Sequence, residues 1–122
     1  MKEPLSLAHV AVLCAYAVGM AGGQILFKLA ALDVALDQPV PGRLLALLQN
    51  GFFLAALAAY FALAIMWVWI LSFTALSRAY PFVALAFAIT PVAGAVLFAE
   101  PITARIMVGI AIILCGLLLV TT

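Results

Sequence analysis

Long apolar stretches alternate with short polar interruptions along this chain. Apolar residues run from about Leu7 to Leu32, from Gly51 to about Leu76, from Tyr80 to Ala99 and from Ala104 to Val120. A helix that crosses a bilayer needs about 20 mostly apolar residues, and each run approaches or exceeds that length. In lipid a helix satisfies its own backbone N–H and C=O groups, so each run is predicted helical. The pattern predicts an all-α integral membrane protein. It forms one four-helix transmembrane domain over residues 1–122, with both termini on the same side.

The interruptions carry ordinary boundary signals. Pro81 suits the first turn of the third span, where its missing N–H costs nothing. Pro101 stops that span, since proline cannot continue a helix. Thr103 is then the expected N-cap of the fourth span. Pro91 falls inside the third span and is expected to kink it. Between the first two spans, "DVALDQPVPGR" reads as a loop from its Asp, Pro and Gly content. "RLLALLQN", which follows, is expected to lie along the interface before the chain enters the second span.

Composition excludes the alternatives. Of the 122 residues, 70% are hydrophobic and 7% charged, against roughly 45–50% and about 25% in soluble domains. No soluble fold of this size hides so much apolar surface. A signal peptide is a poor explanation, because the first run exceeds an h-region and further apolar runs follow it. The net charge of +1 gives no reason to expect nucleic acid as a partner. Cys14 and Cys115 lie within apolar runs without metal-like spacing, and read as small apolar side chains. Lys2 and Arg78 fall on the terminal side of the spans, and Lys28, Arg43 and Arg105 on the other. That split is too even for the positive-inside rule to orient the protein.

The polar residues within the runs are where chemistry is expected. Lys28, Arg43, Glu100 and Arg105 share one end of the bundle, where Lys28 and Glu100 are placed to pair. Arg105 is in the first turn of the fourth span, where the helix dipole also attracts anions. Exposed N–H groups, a guanidinium fork and a lysine suit a phosphate head group. The competing reading has Lys28 snorkel to the interface and Arg105 touch lipid phosphates without specificity. Gln24, one turn deeper than Lys28, is a buried amide that must find partners. It either stitches helices together or contacts substrate.

Ala15, Gly19 and Gly23 recur every four residues, and Gly109 and Gly116 share a face of the fourth span. Small residues in such stripes let helix backbones approach closely. Tyr60, Trp67 and Trp69 cluster in the second span, but the tryptophans point in different directions, so at most one of them lines a path with Tyr60. Packing in the core or against lipid is the alternative for all three. His9, near the start of the first span, suits either a proton role or a silent interfacial position. No acidic residue lies between Glu3 and Asp33, and none in the second or fourth span. With no nucleophile and base, metal cluster or phosphate-cradling loop, neither an enzyme nor a cofactor is expected.

The second half, "LSRAYPFVALAFAITPVAGAVLFAEPITARIMVGIAIILCGLLLV", resembles the C-terminal part of EamA-type proteins of the drug/metabolite transporter superfamily. The features are "AYP" opening a helix, "FAEPIT" closing it and "GIAIILCGLLLV" as the last span, with "GGQILFK" in the first. Together, in order, they cover nearly all of the chain. Among four-helix members it resembles the paired subunits thought to flip an aminoarabinose carried on polyprenyl phosphate. In these a Gln and a Lys close the first span, as Gln24 and Lys28 do here. The small multidrug resistance exporters are a more distant likeness. They rely on a glutamate in mid-span, where this chain reads "AYAVGMAGGQ".

The resemblance implies a flippase-type transporter subunit for an anionic lipid in the bacterial inner membrane, working as a homodimer or with a paralogue. It implies Tyr80 near the substrate and Gly109 and Gly116 at dimer contacts. Lys28 and Arg105 are then expected to hold the phosphate, Glu100 to orient or neutralise Lys28, and Gln24, Tyr60, Trp67 and Tyr80 to line the head-group path. The alternatives are an exporter of cationic or amphipathic compounds, for which Glu100 is the sole candidate acid, and a non-transporting membrane scaffold.

Overall fold

The computed structural model describes residues 6–34 and 39–121. Lys2, Glu3 and the middle of the first predicted loop, residues 35–38, lie outside them. Among the described residues all regular structure is helical. The elements are α1 (Leu7–Asp33), α2 (Val40–Leu48), α3 (Gly51–Leu71), α4 (Leu76–Ala79), a 3-10 turn (Tyr80–Val83), α5 (Ala84–Phe98) and α6 (Ala104–Thr121).

Side-chain caps start the long helices. The Ser6 hydroxyl accepts from the His9 N–H at 3.1 Å at the head of α1. The Asn50 side chain accepts from the Phe53 N–H at 3.1 Å at the head of α3. Thr103 accepts from the Ile106 N–H at 3.2 Å at the head of α6. Each cap satisfies a donor that has no intrahelical partner, a contribution of about 0.5–2 kcal/mol.

Three stretches are long and apolar enough to cross a membrane: Leu7–Asp33, Gly51–Leu71 and Leu76–Phe98. α6 is a shorter apolar helix. At 18 residues it spans about 27 Å, against about 30 Å of hydrocarbon.

The boundary between the second and third runs differs from the one expected. α3 ends at Leu71 rather than Leu76, and the next helical segment begins at Leu76 rather than Tyr80. The turn is hidden in the sequence because Phe73, Ala75 and Leu76 are apolar. What makes it is local hydrogen bonding. The Ser72 hydroxyl donates to the Trp69 carbonyl at 2.5 Å, and the Arg78 and Ala79 N–H groups converge on the Ala75 carbonyl at 3.0 and 2.9 Å. Pro81 has no N–H to give, so the coil tightens into one 3-10 turn before α5 resumes. Pro91 sits inside α5 and leaves the Phe87 carbonyl without its helical donor.

α1 is the central helix, packed on α3 along its length and on α5 along another side. Its pairing with α3 is antiparallel and in continuous register. His9 stacks on Phe73, Tyr16 tilts against Trp67, Phe27 stacks on Tyr60, and Asn50 donates to the Asp33 carboxylate at 3.3 Å. Buried small residues on α1, Ala17, Ala21, Gly23 and Ala30, allow the close approach. Since lipid is as apolar as the side chains, packing of this kind and interhelical hydrogen bonds hold such helices together. The core sits at the α3–α4 end, where Leu13, Ile70, Ala79, Phe82 and Leu117 meet. α6 touches α5 and the 3-10 turn and leaves most of its apolar surface open.

Candidate functional site

The polar groups of interest lie toward the C-terminal end of α1. From Leu7 to Lys28 the helix rises about 32 Å, so Lys28 falls at the far edge of a hydrocarbon layer that begins at Leu7. Its ammonium lies 3.2 Å from the Glu100 carboxylate, and the two side chains are 41% and 48% exposed. Such half-exposed pairs contribute little to stability, roughly 0–1 kcal/mol. The pair is therefore accessible to a ligand and costs little to open.

Glu100 reaches Lys28 through a specific backbone device. α5 ends in Ala99, which adopts the left-handed conformation at φ 54° and ψ 31°. For a residue with a β-carbon this conformation costs on the order of 1–2 kcal/mol. It lets the Ala99 N–H reach the Gly94 carbonyl, with the Glu100 N–H on the same oxygen at 3.4 Å. The chain thus doubles back, and the Glu100 carboxylate folds over Gly94. Residue 94 must be glycine for this seat, because a β-carbon there would collide with Glu100 Oε1. One carboxylate oxygen rests on Gly94 while the other faces Lys28.

One turn deeper, Gln24 and Tyr60 link α1 to α3. The Gln24 amide donates to the Tyr60 hydroxyl at 2.8 Å, and that hydroxyl donates to the Met20 carbonyl at 2.9 Å. Phe27 covers the other part of the ring, with centroids 5.3 Å apart. Gln24 therefore stitches helices, while its exposed side keeps hydrogen-bonding capacity. Further toward the core, Trp67 lies between Tyr16, at 4.9 Å, and Tyr80, at 6.2 Å edge-on. Tyr80 is exposed beside it, whereas Trp69 turns outward and is 54% exposed.

Arg105 stands exposed in the first turn of α6, and among the described residues it has no ion-pair partner. Of the charges expected at this end of the bundle, Lys28 and Glu100 form the expected pair. Arg43 lies apart on α2, lining an apolar cavity of about 500 Å³ with Phe27, Val34, Leu44, Leu47 and Phe53. Among the described residues a β-carbon at Gly109 or Gly116 would meet nothing within 4 Å. His9 is held by Ser6 and stacked on Phe73, 4.3 Å between centroids. Cys14 and Cys115 are free thiols.

Three contributors were not singled out from the sequence: Gly94 as the seat of Glu100, Phe27 as the cover of Tyr60, and Tyr16 as the partner of Trp67. The readable signals were a glycine six residues before Glu100, and aromatic residues distributed along both α1 and α3. Among the described residues no cluster of His, Cys, Asp and Glu is arranged to hold a metal ion.

Comparison of the chain with protein-family profiles, with curated proteins and with solved structures yields no match.

Proposed function

We propose that this chain is a flippase-type transporter subunit of the bacterial inner membrane, which moves a polyprenyl-phosphate-linked sugar or a similar anionic lipid. One observation supports the reading above the rest. A half-exposed lysine sits at the edge of an otherwise oily bundle, held by a carboxylate that is itself half exposed. In this reading Lys28 grips the phosphate, with Arg105 as a second cation, and Glu100 balances Lys28 when no lipid is present. The polar sugar meets Gln24, Tyr60, Trp67 and Tyr80. The apolar tail stays in lipid, so the phosphate never leaves the membrane edge without a cation beside it.

The same reading takes α6 as a fourth crossing, which puts both termini on one side. It takes a second copy, or a paralogue, against the open face of α6 that carries Gly109 and Gly116, and movement by alternating access at that interface. The EamA-like motifs are part of its support. The exporter alternative needs an acid in mid-membrane, whereas Glu100 is tied to Lys28 at the membrane edge. A scaffold role has no structural feature of its own in its favour.

The test is a vesicle assay. Purified protein is reconstituted, and the exposure of a fluorescent polyprenyl-phosphate sugar on each leaflet is followed by quenching. Protein-dependent loss of sidedness, absent with a Lys28→Met variant, is the expected result. Equal rates with and without protein contradict the reading.

A further inference from the structure

The Lys28–Glu100 pair poses a problem for any anion that comes to Lys28, because the position is already taken. The occupant is held by more than charge. The left-handed Ala99 aims Glu100 back along α5, and the bare backbone of Gly94 receives its carboxylate. A group tethered in this way competes at an effective concentration in the millimolar range. We propose that Glu100 is an internal competitor for the anion site: it occupies Lys28 in the empty protein and so sets which anions gain entry. The inference rests on Lys28 being the phosphate contact.

The chemistry of the exchange gives the selectivity. A fatty-acid carboxylate replaces one singly charged carboxylate by another, and the tethered one wins. A phosphate monoester carries a charge of about −1.5 to −2 and three acceptor oxygens, so it outcompetes a single carboxylate. The phosphodiester of a polyprenyl-phosphate-linked sugar carries one charge, and its advantage over a fatty acid comes from the contacts of its sugar with Gln24, Tyr60, Trp67 and Tyr80. Glu100 therefore keeps membrane carboxylates off Lys28 and admits phosphate. When displaced, Glu100 has open space on its exposed side.

Four variants separate this from the underlying reading. Glu100→Gln removes the charge. Glu100→Asp keeps the charge but shortens the reach. Gly94→Ala leaves every charge in place and fills the seat; the only atoms within 4 Å of the new β-carbon belong to the Glu100 carboxyl, the far end of a flexible side chain. Alanine is also the better helix former, so this variant keeps its fold. Lys28→Met removes the proposed contact. Binding of a polyprenyl monophosphate and of palmitate is measured to each protein in nanodiscs of neutral lipid.

The expected result is that the unaltered protein binds the phosphate and holds palmitate poorly. All three variants at 94 and 100 then bind both anions more tightly, by about three- to tenfold, with palmitate gaining most. Lys28→Met loses both. If only Glu100→Gln gains, long-range repulsion rather than occupancy is at work, and the proposal is overturned. If none of the three gains while Lys28→Met still loses binding, the competitor role falls and the phosphate contact survives. Unchanged binding in Lys28→Met removes both.

Discussion

The ring of Tyr60 lies in the space that a side chain at Gly23 would need: a β-carbon there would be 2.5 Å from Tyr60 Cε2 and 2.9 Å from its hydroxyl. The ring has little room to yield. Its hydroxyl is bonded to Gln24 and Met20, and Phe27 stacks on it. Gly23→Ala should therefore push α1 and α3 apart, at a cost of about 1–3 kcal/mol, the usual penalty of overpacking. Gly22→Ala meets nothing within 4 Å and should be neutral or slightly stabilising. Thermal unfolding of the two variants in detergent gives the comparison, and the Gly23 variant is expected to melt lower.

The Gln24–Tyr60 bond can be apportioned by a double-mutant cycle. Tyr60→Phe leaves the Gln24 amide without its acceptor and should lower stability by about 1 kcal/mol, within the range for interhelical hydrogen bonds in membranes. Gln24→Leu together with Tyr60→Phe removes both partners and should recover part of that loss, because no polar group is left unpaired. An additive cycle, read from unfolding curves, would mean that the bond contributes nothing.

At the other end of the same interface, Asn50 serves two purposes. It caps α3 through Phe53 and donates to Asp33 at the end of α1. Asn50→Ala should lose about 1 kcal/mol or more. Asn50→Asp keeps the cap but sets two carboxylates together, so it should restore stability only at acidic pH. Unfolding measured across pH checks both statements.

Much of this arrangement is legible in the residues themselves. Oily runs of helical length announce the long helices, and Thr103 announces the start of α6. Lys28 and Glu100 were recognisable as candidates for pairing because they are lone charges at the same end of neighbouring spans. The break between Leu71 and Leu76 was not legible. It depends on side-chain to backbone bonds at Ser72 inside an unbroken apolar stretch. The seat of Glu100 was equally hidden, because alanine, not glycine, takes the left-handed position that folds the chain back. The sequence places Arg105 at the same end of the bundle as Lys28 but does not say what its side chain meets; among the described residues it stands exposed with no ion-pair partner.

Gly109 and Gly116 test the proposed assembly. Among the described residues a β-carbon at either would meet nothing within 4 Å, so Gly116→Ile should leave the subunit folded. If α6 meets a second copy there, the same change should convert dimer to monomer, as read by native mass spectrometry from membranes with lipid retained. Dimer undiminished in Gly109→Ile and Gly116→Ile variants would place the interface elsewhere.

The central claim is that Lys28 exists to hold a negatively charged lipid head. The direct measurement is native mass spectrometry of the unaltered protein and of Lys28→Met, each mixed with a polyprenyl monophosphate in neutral-lipid nanodiscs. The account predicts a lipid-bound species for the first and at least a tenfold loss of it for the second, with both proteins showing the same unfolding temperature. Equal occupancy in the two folded proteins would contradict it.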